Sequence, residues 1–232
     1  MCTNQSKKVI LPLQKTFLST FPGFSYLSSI ILNKENSLDW LLNNLVQVKG
    51  YGGDMFYWGF IPNGTPSTKL DVLNAWDLCP FIDKYTYSRH RILKKYDSFI
   101  SFVINSLNDG FYVYVYLDQF FRTDFGVKNT FAHANLIYGY DLDKQLVYLA
   151  DHFDQGKYSF LQIEFNKIEE AYKIVNDHHS EKFAADIYYS KRLMDDILLF
   201  QSKDYKYDFD INLTLDLLKE YLHSNNNYNC IY

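Results

Sequence analysis

The sequence predicts an α+β fold in which an antiparallel sheet, or half-barrel, packs on helices. Three observations lead to it. Residues 111–117 read FYVYVYL, β-branched and aromatic throughout and apolar on both sides, the pattern of a central strand buried on both faces. Residues 131–140, FAHANLIYGY, and 146–151, LVYLAD, read as two further strands joined by the acidic turn 141–145. Residues 98–107 carry Phe99, Phe102, Val103 and Leu107 at helical spacing, and Asn108-Asp109-Gly110 ends that helix through a left-handed glycine cap.

Composition narrows the function classes. The chain has 232 residues and a net charge of −4, with 23 basic and 27 acidic side chains. It has no dense basic run, and Arg is confined to Arg89, Arg91, Arg122 and Arg192, which argues against nucleic acid and against an Arg-lined phosphate site. Aromatics reach 19%, with 21 Tyr and 19 Phe. They serve either an aromatic core or a pocket for an extended acyl or aromatic ligand. Cys2, Cys79 and Cys230 are odd in number and far apart, so neither a disulfide frame nor a CxxC site is expected, and a reducing, cytoplasmic setting fits. The first residues lack the continuous apolar run of a signal peptide, and no window is long and apolar enough for a membrane span. No metal site is expected.

In chain order, residues 9–13 suggest an edge strand, because Pro12 cannot donate to a ladder. After a break at 21–23, residues 24–32 suggest a helix with Phe24, Leu27, Ile30 and Ile31 on one face. A second helix is expected over 38–48 and ends at Gly50, Gly52 and Gly53. An aromatic strand follows at 54–61, then a Pro/Gly loop at 62–67. Pro80 suits the first turn of a short helix running through Ile82 and Tyr85, capped by Cys79. Arg89, His90, Arg91, Lys94 and Lys95 read as a solvated basic face. Residues 158–165 suggest a strand, 167–175 a helix capped by Asn166, and 213–222 an amphipathic helix. His178 and His179, being adjacent, point in different directions and make a poor metal pair. The tail 224–232 is low-complexity and reads as frayed.

Chemistry concentrates at 131–153. His133 opens one strand and Asp151 closes the next, 18 residues later, far enough to go up and return. Asp151 would then orient the imidazole of His133 and leave its other nitrogen as a general base; a satisfied structural histidine is the alternative. For a nucleophile, Cys79 at a helix start would have a lowered pKa, or it is a buried, inert cysteine. Ser25 near a helix N-terminus is the other candidate, or it is an N-cap. Gln119 and Asn135 are candidate oxyanion donors.

The segments DGFYVYVYLDQFF and FAHANLIYGYDLDKQLVYLADHFDQGKYSFLQIEFNKIEEAY resemble the papain-like, C39-type cysteine peptidases. They are closer still to the group named for the N-terminal domain of the butirosin-biosynthesis acyltransferase, whose members accompany nonribosomal peptide and related antibiotic clusters. The resemblance runs over about 98–175, with His133, Gly139-Tyr140-Asp141 and Asp151 on its pattern; where the pattern holds its cysteine, this chain has Ser25. It implies a papain-like cysteine protease fold over residues 1–190, followed by a C-terminal helical extension and tail at 191–232. It also implies cysteine-dependent acyl transfer from a thioester to an amine, with no cofactor of the enzyme's own beyond phosphopantetheine on a partner acyl or peptidyl carrier protein. A peptidase that trims a peptide, or an inactive binding module on the same fold, are the other activities it allows.

Overall fold

In the computed structural model, FYVYVYL becomes the strand β5 (Tyr112–Asp118), every residue of which is buried. The described residues are 6–18, 22–44, 48–51, 57–60, 76–122, 131–154, 156–177 and 196–223. The loop expected at 62–67, the His178–His179 pair, Cys2, Cys230 and the tail at 224–232 lie outside them.

The other elements are β1 (Lys8–Ile10), α1 (Pro22–Ile31), α2 (Ser37–Asn44), β2 (Val48–Tyr51), β3 (Tyr57–Phe60), β4 (Ile82–Ser88), α3 (Arg89–Lys95) and α4 (Phe99–Asn108). After β5 come β6 (Ala132–Asp141), β7 (Leu146–Asp154), β8 (Lys157–Glu164), α5 (Phe165–Asp177), β9 (Asp196–Ser202) and α6 (Ile211–Leu222). The main sheet runs β4-β9-β5-β6-β7-β8, with β1 paired to the far end of β6, and all its pairings are antiparallel. This is an α+β arrangement, as expected. Among the described residues, no helix is long and apolar enough to cross a membrane.

Alternation along β5 splits the interior in two. Tyr112, Tyr114 and Tyr116 enter a core with Tyr26, Leu27 and Ile30 of α1, Trp40 of α2, Trp76 and Phe200. Val113, Val115 and Leu117 enter a second core with Phe102 and Val103 of α4 and Ile168 and Tyr172 of α5. The helices on that second side are locked end to side. Ser98 caps α4 by accepting from Ser101 N, and the Glu169 carboxylate of α5 accepts from Phe99 N at 3.1 Å and Ile100 N at 3.0 Å. The chain leaves α4 through Gly110 at φ +82°. At Gly139 the edge strand β1 comes so close that a Cβ would sit 2.7 Å from Val9 O, so a side chain there would push β1 off the sheet.

Several expectations change. Pro22 and Gly23 are the first turn of α1 rather than a break, since proline at a first helical position loses no hydrogen bond. Val48 and Gly50 belong to the strand β2, so α2 is shorter than expected. The stretch after Cys79 is the strand β4, not a helix: pairing with β9 along its whole length outweighs the local signal of Pro80. Arg89, expected on a solvated face, is fully buried, its guanidinium 4.5 Å from the Tyr172 ring and donating to Tyr116 O and Tyr172 O. A boundary at 190/191 would cut β9 from the sheet that it completes between β4 and β5.

Candidate active site

Strands β6 and β7 bring the two residues singled out by their spacing to one end of the sheet. Leu136 faces Ala150 across the ladder; His133 and Asp151 both lie beyond that pair in the same direction. His133 Nδ1 is 3.0 Å from Asp151 Oδ2 and 3.0 Å from Ala134 O. Two acceptors at Nδ1 place the proton there and leave the lone pair on Nε2, which hydrogen-bonds to no described residue. The His133 side chain is 34% exposed, whereas that of Asp151 is fully buried.

The carboxylate is held from several directions. The Tyr26 hydroxyl, on α1, lies 2.6 Å from Asp151 Oδ1 and 2.8 Å from Ala134 O, sharing its one proton between them. His152 Nδ1 is 3.4 Å from the same Oδ1. Arg122 Nη1 stands 3.7 Å from Oδ2, while Nη2 donates to His152 O at 2.7 Å and the guanidinium lies 5.1 Å from the Phe153 ring centroid. Burial alone would raise the Asp151 pKa, but the hydrogen bonds from His133, His152 and Tyr26 outweigh it and hold the carboxyl well below the usual range. Burial would likewise lower the pKa of His133. The Asp151 hydrogen bond and charge, with Ala134 O, raise it above the ordinary histidine value, against a small opposing effect of Arg122.

The nucleophile candidates fare differently. Cys79 is buried in the core shared with Trp76 and Phe81. Burial pushes its thiol up to about 12, against the Phe81 backbone and Lys203. This is the opposite of the lowered pKa that a helix start would confer, and no hydrogen bond joins Cys79 to His133 or Asp151. Ser25, in the first half of α1, is fully buried. Its Oγ donates to Leu18 O at 2.6 Å and lies 3.4 Å from His152 Nε2. Ser25, His152 and Asp151 thus form a hydroxyl–imidazole–carboxylate chain beside the His133 pair.

The candidate oxyanion donors each spend one amide N–H within the fold. Gln119 Nε2 donates to Leu117 O at 3.0 Å, and Asn135 Nδ2 to His133 O at 2.8 Å. The atoms left without a partner are the carbonyl oxygens, Gln119 Oε1 and Asn135 Oδ1. Asn135 instead fixes the backbone of His133.

Sequence reasoning missed Tyr26, Arg122 and His152. Strict alternation puts neighbours such as Asp151 and His152 on opposite faces. The β7–β8 register shifts between Asp151 and Asp154, and such an irregularity re-aims side chains. Only the dipeptide Asp-His itself carried a hint. Among the described residues, no group of three or more His, Cys, Asp or Glu is arranged to hold a metal ion. No known protein family, no curated protein and no solved structure matches the chain.

Proposed function

We propose that this protein catalyses acyl transfer from a thioester to an amine, with His133 as general base and Asp151 as its orienting carboxylate. The observation that carries the reading is the 3.0 Å His133 Nδ1–Asp151 contact, which leaves Nε2 open at a partly exposed position. The layout supports it too: a helix that hydrogen-bonds, through Tyr26, to a histidine strand and an acid strand is what a papain-like ancestry leads one to expect. In this reading Nε2 takes a proton from the amine as its nitrogen attacks the thioester carbonyl. The C–N bond forms, the C–S bond breaks, and the proton passes from His133 to the departing thiolate. The donor is an acyl group on the phosphopantetheine arm of a carrier protein or on a free thioester, and Cys79, the one cysteine among the described residues, does not act as nucleophile. That departs from the cysteine-dependent expectation because the Cys79 thiol is buried and strongly disfavoured as thiolate.

A second reading takes Ser25 as nucleophile through His152, favoured by the 3.4 Å Oγ–Nε2 contact. One experiment separates them. Incubation with an acyl pantetheine thioester and an amine is followed by mass spectrometry of both product and protein. The first reading expects amide product without acyl-enzyme, a loss of about 10²–10⁴ in rate in His133→Ala, and no loss in Cys79→Ala. Because the base acts in its neutral form, the rate climbs with pH through a midpoint above about 6.5. An acyl adduct on Ser25 gives the reaction to the second reading. Full activity of His133→Ala would sink the first.

A further inference from the structure

We propose that α6 is a self-association surface on which a second copy of this chain docks its own α6 in antiparallel orientation. The helix has two unlike faces. One is packed: Leu217 and Glu220 are buried, and Asn43 of α2 clamps the helix start. Asn43 Nδ2 donates to Asp210 O at 2.8 Å and Thr214 Oγ1 at 2.6 Å, and Asn43 Oδ1 accepts from Asp210 N at 2.9 Å. The opposite face is aliphatic, and no described residue buries it: Ile211 is 55% exposed, Leu215 45%, Leu218 42% and Leu222 76%.

The spacing of those four residues, 4-3-4, is the a/d seam of a helix that pairs with another helix. It also names the partner. Steps of 4, 3 and 4 read the same from either end, so a reversed copy related by a two-fold axis sets Leu215 against Leu218 of the second copy and Ile211 against its Leu222. A two-fold interface requires this self-complementarity. Charge does not oppose it: Lys219, which flanks the seam, pairs with Asp216 on its own helix at 3.4 Å. Four aliphatic side chains on one short helix make a small stripe, at the low end of specific interfaces. A dissociable dimer follows. The clamp by Asn43 holds the helix ready, so docking orders little new chain.

Sedimentation velocity of the full chain, from about 1 µM to several hundred micromolar, tests the proposal. The expected result is a shift from monomer to dimer that is abolished in Leu215→Glu/Leu218→Glu and retained in Leu93→Glu, which alters an exposed leucine on α3. Unchanged circular dichroism establishes that the double variant folds. A Leu215→Cys/Leu218→Cys chain adds a direct readout, since it should form an intermolecular disulfide that appears on a non-reducing gel. A chain that stays monomeric across the whole range overturns the proposal, as does a dimer that survives the double Glu substitution. So does a monomer that dimerises only when residues 224–232 are removed, because the stripe is then covered by the chain's own tail.

Discussion

The two sides of the sheet are built from different chemistry. On the α4–α5 side, β5 contributes Val113, Val115 and Leu117, and the neighbouring strands contribute Ile137, Val147, Leu149 and Ile197. This core is largely aliphatic. On the α1 side, β5 contributes three tyrosines, and α1 brings three buried serines. These polar atoms are paired rather than stranded. Ser29 Oγ meets the Tyr158 hydroxyl at 2.8 Å, Ser28 bonds to Thr16 and to Phe24 O, and the Tyr112 hydroxyl donates to Pro12 O at 2.5 Å. On the same side, and separately from these bonds, the Tyr26 hydroxyl donates to Asp151. One side supplies stability by apolar burial; the other also seats paired hydroxyls, one of them on a carboxylate. The difference teaches why Tyr outnumbers Trp so heavily: a tyrosine fills a core position and still delivers a donor at its tip.

Substitutions on the two sides should therefore fail in different ways. The largest effect is expected from Leu149→Ala in the aliphatic core, at about 3 kcal/mol of stability. Urea unfolding should register the loss while turnover per folded molecule is unchanged. A parallel loss of turnover would mean that the two sides are not separable. Tyr26→Phe should cost less, about 2 kcal/mol for a hydrogen bond to a buried charge, but it should act on the site. With one donor gone, the Asp151 pKa moves up toward its ordinary value and acid unfolding starts at higher pH. If the acid limb of the stability curve is unmoved, the hydroxyl is not helping to hold the carboxylate.

The mildest prediction concerns pH. The folded-state pKa of Asp151 is depressed, so its contribution is present above about pH 4 and is lost as pH falls through the depressed value. That of His133 is raised; its contribution is present below about pH 6.5 and is lost as pH rises through the raised value. The pair should stabilise the fold most between those limits. A comparison of wild type with His133→Gln by chemical unfolding should give its greatest difference near pH 5, shrinking in both directions. A difference independent of pH would refute the coupling.

Much of the sheet was legible in the sequence because period-two patterns are local. Residues 111–117 announced a doubly buried strand, and the turn at 141–145 joined two strands of usable length. Their lengths also brought His133 and Asp151 to a common end. What failed depended on contacts distant in sequence. Residues 195–200 read as a short apolar segment anywhere along the chain; only pairing with β4 and β5, far upstream, makes Asp196–Ser202 an inner strand. Arg89 sits in a basic run, yet Tyr172 and the Tyr116 carbonyl draw it inside. Cys79 precedes a proline that would suit a helix start, and the neighbouring β9 makes the following residues a strand instead. The site was half visible for the same reason. Its histidine and carboxylate lie on adjacent strands, while Tyr26 reaches the carboxylate from 125 residues away, and no spacing rule spans that interval.

The position of β9 has a consequence for how the protein is made. A ribosome releases β4 and β5 long before β9, and until Asp196–Ser202 emerges those two strands have no common neighbour to join them. The inner edge of β5, its apolar residues already exposed for pairing, must wait through the synthesis of β6, β7, β8 and α5. Nascent chains arrested shortly before residue 196 should thus be protease-sensitive around β4, and those extended beyond Ser202 resistant. The slow, non-local closure therefore waits for β9 itself, and until then an unpaired edge is open to a wrong partner.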